Sequence, residues 1–180
     1  MPLRGELSLT GLIEVLQSEA AVISPAKMQD ILARLTVSAE EIEDYRCFSE
    51  QRYARNLFYK TAQFEVMVMC WNSGQRSSIH DHAGSLGGLK IFHGSLTESL
   101  FDKGANGMIR SLTSGDYEPG AIRVEETSLI HQISNLQGND GQAISLHIYL
   151  PPLVRMNVYS LEDPAVGNIL PQYFSFGSGI

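Results

Sequence analysis

Apolar positions in the first third of the chain recur at helical spacing. Leu9, Leu12, Ile13, Leu16 and Ala20 fall three or four residues apart and share one helix face. Ser24 before Pro25 is a helix start, a capping side chain followed by a proline at the first helical position, and Met28, Ile31, Leu32 and Leu35 continue that helix. Ser38 and Glu41 form a capping-box pair with Val37 and Ile42 as the hydrophobic staple. From about Tyr53 the period changes to two. Phe64, Val66, Val68 and Cys70 alternate with Glu65, Met67, Met69 and Trp71, and Ile144, Leu146, Ile148 and Leu150 alternate with Ser145, His147 and Tyr149. Shorter runs lie at 88–92, 96–101, 108–112, 121–125 and 129–134, separated by turn residues such as Asn72-Ser73-Gly74 and Gln137–Gly141. Many short strands with no helices between them predict an antiparallel sandwich or small barrel. The expected architecture is therefore mainly β, with N-terminal α-helices over residues 1–48 packed on a β-barrel over 49–180, in a single domain. The tail from Phe176 to Ile180 is expected to be loose.

Composition narrows the class of protein. A chain of 180 residues with 43% apolar side chains can bury its own core. Its 13 basic and 20 acidic residues leave a net charge of -7, which argues against nucleic acid or an anionic membrane as the partner. Two cysteines, Cys47 and Cys70, are too few for a disulfide framework, so a reducing cytoplasm is the expected location. The opening MPLRGELSLT lacks the apolar core of a signal peptide, and no apolar stretch approaches the ~20 residues that cross a bilayer.

Candidate chemistry centres on the histidines at 80, 82, 93, 131 and 147. On a strand, His80 and His82 point to the same face and both imidazoles can reach one metal ion. His131 sits in the apolar run Leu129–Ile133, where a buried imidazole needs a polar partner that a shared metal would supply. Three neutral imidazoles suit Fe, Zn, Cu or Ni. Strand alternation puts Ser145, His147 and Tyr149 together on one face, a polar stripe of the kind that lines a site. Asp81 faces the other way and is assigned a structural role, Cys70 and Trp71 belong to the core, and His93 beside Gly94 belongs to a turn or the surface.

The spacing from Gly74 through His80-x-His82 to Gly94 resembles the first cupin motif, G-x5-HxH-x3,4-E-x6-G, and Pro119-Gly120 with His131 and Asn135 resembles the second. Gly87 stands where the motif has glutamate, so the expected site has three histidines and no carboxylate ligand. Within that superfamily, Ser78–His82, Leu89-Lys90, Gly94-Ser95-Leu96, Glu98 and Leu100-Phe101-Asp102 resemble cysteine dioxygenase, as do Tyr53-x-Arg55-Asn56-Leu57 upstream and Ser145–Pro152 downstream. The resemblance implies a cupin-type jelly roll and a non-haem Fe(II) enzyme that oxidises the thiol of L-cysteine with O2 to cysteine sulfinic acid. It implies one iron held by His80, His82 and His131, and Arg55 on the substrate carboxylate with Tyr53 beside it. Ser145, His147 and Tyr149 would form a relay, and Leu150–Pro151 would be cis. Some members carry a Cys–Tyr thioether whose cysteine aligns with Gly87, so none is expected here. Two rivals remain: a sister dioxygenase of 3-mercaptopropionate, many of which have glutamine where this chain has Arg55, and a non-catalytic metal-binding cupin. The oligomeric state is left open.

Overall fold

The computed structural model describes residues 5–176. The C-terminal tail beyond Phe176, expected to be loose, lies outside the described residues. Helix α1 (Leu9–Glu19) starts where the Ser8 hydroxyl accepts from the Gly11 N–H at 3.1 Å, and α2 (Pro25–Arg34) starts where Ser24 accepts from Lys27 at 3.3 Å. The Ser38–Glu41 box closes in both directions, Glu41 N–H to Ser38 Oγ at 3.2 Å and Ser38 N–H to Glu41 Oε2 at 2.8 Å. It opens a 3-10 helix, Glu40–Tyr45.

Among the described residues, twelve strands follow. The first sheet holds β1 (Ala54–Lys60), β2 (Glu65–Trp71), β4 (Leu86–His93), β7 (Ile122–Glu125), β9 (Ala143–Leu150) and β12 (Ser175–Phe176) in the order β12-β1-β2-β9-β4-β7. The second holds β3 (Ile79–Asp81), β5 (Leu96–Lys103), β6 (Ile109–Tyr117), β8 (Ile130–Ser134), β10 (Met156–Tyr159) and β11 (Gly167–Ile169) in the order β11-β10-β3-β8-β5-β6. All pairings are antiparallel except β1 with β12.

The first sheet is buried on both faces. Phe64, Val66, Val68 and Cys70 of β2 and its entry, with Ile144, Leu146, Ile148 and Leu150 of β9, pack under Leu12, Leu16, Met28, Ile31 and Leu32 of the helices. The alternate residues Met67, Met69, Trp71 and Tyr149 face the interior between the sheets, where Leu89, Ile91, Leu96, Ile133 and Met156 join them. The helices close the outer face, and the Lys90 ammonium fastens them by donating to the α2-end carbonyls of Leu32 at 3.0 Å and Leu35 at 2.6 Å. At Gly88 an added Cβ would stand 2.7 Å from Met28 and 3.0 Å from Leu32, so the missing side chain is what lets α2 sit on β4. β3, β10, β11 and β12 are short, and β11 is exposed throughout, so they carry no alternation that the sequence could display. The Leu150–Pro151 bond is cis, as the resemblance implied.

Candidate metal centre and active site

His80 on β3 stands directly opposite His131 on β8, and His82, two residues after His80, turns to the same interior side. The three side chains are buried, with ligand nitrogens within 4.8 Å of one another. His80 Nδ1 lies 2.8 Å from the Ser78 carbonyl, so it carries the ring proton and leaves Nε2 with its lone pair. Burial pushes the His80 and His82 pKa values down to about 3, which keeps both rings neutral and ready to ligate at physiological pH. His131 differs. Burial works against its charge, but the carboxylates of Glu125 and Glu98 outweigh it and raise its pKa well above the ordinary 6.5. Its Nδ1 lies 3.0 Å from Glu98 Oε1 and its Nε2 lies 3.2 Å from His82 Nε2. The donor set fits a transition metal: three imidazoles on adjoining positions, two with their outer nitrogens already held by oxygen.

The opposite wall comes from the first sheet. Ser145, His147 and Tyr149 lie on the interior face of β9, with Ser145 Oγ 2.9 Å from His147 Nε2 and His147 Nδ1 3.2 Å from the Tyr149 hydroxyl. Trp71 Nε1 donates to Ser145 Oγ at 3.1 Å and extends this row by one member. Tyr53 stacks on Trp71, with centroids 4.3 Å apart and planes 13° apart. Burial raises the Tyr149 phenol well above its ordinary pKa and depresses His147 far below its own, so the row is neutral. Arg55 on β1 holds its guanidinium carbon 5.9 Å from the Tyr149 ring centroid. It is 4% exposed, yet Nε and Nη2 make no hydrogen bond, and its nearest carboxylate oxygen, Glu65 Oε1, is 3.6 Å away. Glu65 is occupied elsewhere, by Leu153 N–H at 3.0 Å and the Tyr173 hydroxyl at 2.5 Å.

One small cavity is bounded by Tyr53, Arg55, Trp71, Ser77, His80, His131, His147 and Tyr149. A larger depression of about 520 Å³ shares Tyr53 and Arg55 with it, adds Arg52 and Arg76, and contains none of the histidines. His80, His131 and His147 line the small inner cavity, which adjoins the depression at Tyr53 and Arg55.

A family model described as cysteine dioxygenase type I matches residues 8–162. The chain belongs to the cysteine dioxygenase type I family. Cysteine dioxygenase type 1 of Rattus norvegicus is 32% identical over 151 residues, 81% of this chain and 75% of that one. The Homo sapiens protein gives the same figures, and that of Bos taurus is 33% identical over the same shares. Among solved structures, TT1209 from Thermus thermophilus superposes with a TM-score of 0.52 at 14% identity, over 62% of this chain and 94% of that one. BH2720 from Bacillus halodurans gives 0.51 at 16% identity, over 65% and 81%. These likenesses concern the fold alone, a mainly β molecule of two facing antiparallel sheets. The cysteine dioxygenase relatives support a dioxygenase with a metal site among its histidines.

Of the residues singled out in the sequence, Tyr53, Arg55, His80, His131, His147 and Tyr149 line the small cavity, while His82 and Ser145 lie behind it, at 3.2 Å from His131 and 2.9 Å from His147. His93 is exposed at the end of β4, and Asp81 accepts from Asn157 at 2.9 Å and Tyr159 at 2.6 Å, outside the cavity. Trp71, assigned to the core alone, also bonds the relay. Sequence reasoning passed over Glu65 and Glu125 and quoted Glu98 only as part of a motif. Each is a carboxylate inside or at the end of an apolar strand run, and a charge there demands a partner.

Proposed function

We propose that this protein oxidises a small thiol carboxylate, L-cysteine, adding both atoms of O2 to the sulfur to give cysteine sulfinic acid. His80, His82 and His131 hold one Fe(II), which supplies the oxygen-activating redox chemistry when bound. Arg55 carries the reading of the substrate. It is a buried guanidinium with two nitrogens unbonded, in the same cavity as His80, and a buried cation of that kind calls for an anion. A carboxylate fits its planar fork with two parallel bonds and fixes the substrate's thiol toward the histidines. Tyr149 lies between Arg55 and His82, its ring 5.1 Å edge-on from the His82 ring. Ser145 accepts from Trp71 and passes its own proton toward His147 Nε2, so His147 Nδ1–H donates to the Tyr149 oxygen. The Tyr149 hydroxyl proton is then free to donate into the cavity, and burial holds it on the oxygen. Trp71 and Tyr53 wall the site with stacked rings and exclude water.

The test is oxygen consumption with product identification by mass, using iron-loaded protein and a panel of cysteine, 3-mercaptopropionate and cysteamine. Cysteine sulfinic acid as the main product supports the reading. A preference for 3-mercaptopropionate moves the substrate to the sister thiol, and no turnover of any thiol rejects the enzyme reading.

A further inference from the structure

The C-terminal segment after β11 is fastened to β1, the strand that carries Arg55. Leu170, Pro171 and Phe174 wall the depression that Arg55 also lines. Phe174 N–H donates to the Arg55 carbonyl at 2.8 Å, and Ser175 Oγ donates to Asn56 Oδ1 at 2.6 Å. β12 then pairs in parallel with β1, Asn56 opposite Ser175 and Leu57 opposite Phe176. Tyr173, half-buried, packs against the interior cluster between the sheets.

There the Tyr173 hydroxyl donates to Glu65 Oε2 at 2.5 Å and accepts from Lys60 Nζ at 2.6 Å. Burial and the Glu65 carboxylate raise the phenol well above its ordinary pKa of 10, so the proton stays on the oxygen. Glu65 is fully buried, and its other oxygen accepts from Leu153 N–H at 3.0 Å. Arg55 Nη2 stands 3.6 Å from that oxygen, beyond a hydrogen bond, and both Nη2 and Nε are unbonded. A buried carboxylate beside a buried guanidinium has every reason to close into a direct ion pair, because each charge is costly without a partner. Here each Glu65 oxygen is already held by another donor, one from the chain just after β9 and one from the C-terminal segment. Lys60 Nζ, 3.7 Å from Oε2, balances the charge of Glu65 from the outer side.

We propose that Tyr173 is a positioning residue for carboxylate recognition: its hydroxyl occupies Glu65, so that Arg55 stays open to the carboxylate of the substrate. The inference rests on the role of Arg55 proposed above. Tyr173 does not line the small cavity and acts through Glu65. Substrate selectivity is thereby set in part by a segment that follows every histidine in the sequence.

The test is anaerobic calorimetry of cysteine and of cysteamine binding to the iron-loaded protein, which needs no turnover, with kcat measured separately. Wild type is compared with Tyr173→Phe, Glu65→Gln and the double variant. In Tyr173→Phe, Glu65 loses a donor and takes Arg55 in its place. Cysteine binding should weaken ~10–100-fold, the scale of a hydrogen bond to a charged group. Cysteamine binding, iron content and kcat at saturating cysteine should hold. The double variant should bind cysteine as tightly as Glu65→Gln alone, because no carboxylate is left to compete. Tyr173→Met also deletes the hydroxyl and carries the test if Tyr173→Phe does not fold. Equal losses on the two thiols, undiminished cysteine binding, or no recovery in the double variant overturns the proposal. If wild type binds cysteine no more tightly than cysteamine, the carboxylate role of Arg55 fails and this proposal falls with it. If wild type discriminates and Tyr173→Phe discriminates equally, only the role of Tyr173 fails.

Discussion

Arg55 is positioned by refusal as much as by attraction. Glu65, its nearest carboxylate, is held by a backbone N–H and a tyrosine hydroxyl at 3.0 and 2.5 Å, so the guanidinium keeps nitrogens free for an outside anion. Arg55→Ala should therefore cost ~3–5 kcal/mol for a substrate with a carboxylate, which is two to nearly four decades in kcat/KM at ~1.4 kcal/mol per decade. Cysteamine lacks the carboxylate and should lose far less. Steady-state kinetics of both thiols in both proteins check this, and an equal fractional loss would assign Arg55 to the fold. The two cysteines separate in the same way. Burial pushes the Cys70 thiol up to about 12, on the helix side of β2, while Cys47 is only half-buried. Alkylation of native protein at pH 8, read by intact mass, should add one label, on Cys47. At this scale the histidines and Arg55 were legible because their types and spacing are rare. Glu65 was not, because its meaning depends on Tyr173 near the far end of the chain, and such a neighbour is invisible along the sequence.

Among elements, the junction between helices and sheet rests on small local devices. The Ser38–Glu41 box is one, and its two hydrogen bonds were readable from four residues of sequence. Ser38→Ala should lower stability by ~0.5–2 kcal/mol in urea denaturation. Glu41 adds a pH dependence. Hydrogen bonds from the Ser38 backbone, with burial opposing, hold its pKa below the ordinary 4.5. A depressed carboxylate stabilises the fold above that ordinary value and loses its contribution as pH falls through the depressed one. The stability difference between wild type and Glu41→Gln should thus be constant near neutrality and shrink below about pH 4.5. The long strands were equally legible by alternation, whereas β3 and β10 were not. Three and four residues are too few to show a period, although β3 carries His80.

The molecule as a whole places His80 and His131 on one sheet and the Ser145–His147–Tyr149 row on the other, with the small cavity between. Its net charge is -7, yet the depression adjoining that cavity gathers Arg52, Arg55 and Arg76. Metal bound only by the folded state should stabilise it by ~2.7 kcal/mol at a hundredfold excess over Kd. For a chain of this length that is roughly 5–11 °C in Tm. Calorimetry of chelator-stripped protein with and without added Fe(II) measures the shift, and His131→Ala should abolish it. The layered arrangement followed from the helical first third and the β remainder, because both patterns are long. The identity of the facing sheets did not, since nothing in a single strand names its partner.

One consequence follows for the genetics of β9, all eight of whose residues are buried. A strand enclosed on both sides has no neutral site, and its two sides fail differently. In a saturation scan of residues 144–150, substitutions at Ile144, Leu146, Ile148 and Leu150 should deplete soluble protein, while those at Ser145, His147 and Tyr149 should leave soluble protein without turnover. Scored for yield and for activity per molecule, the strand would spell its own pleat: defects of expression and of catalysis alternating residue by residue.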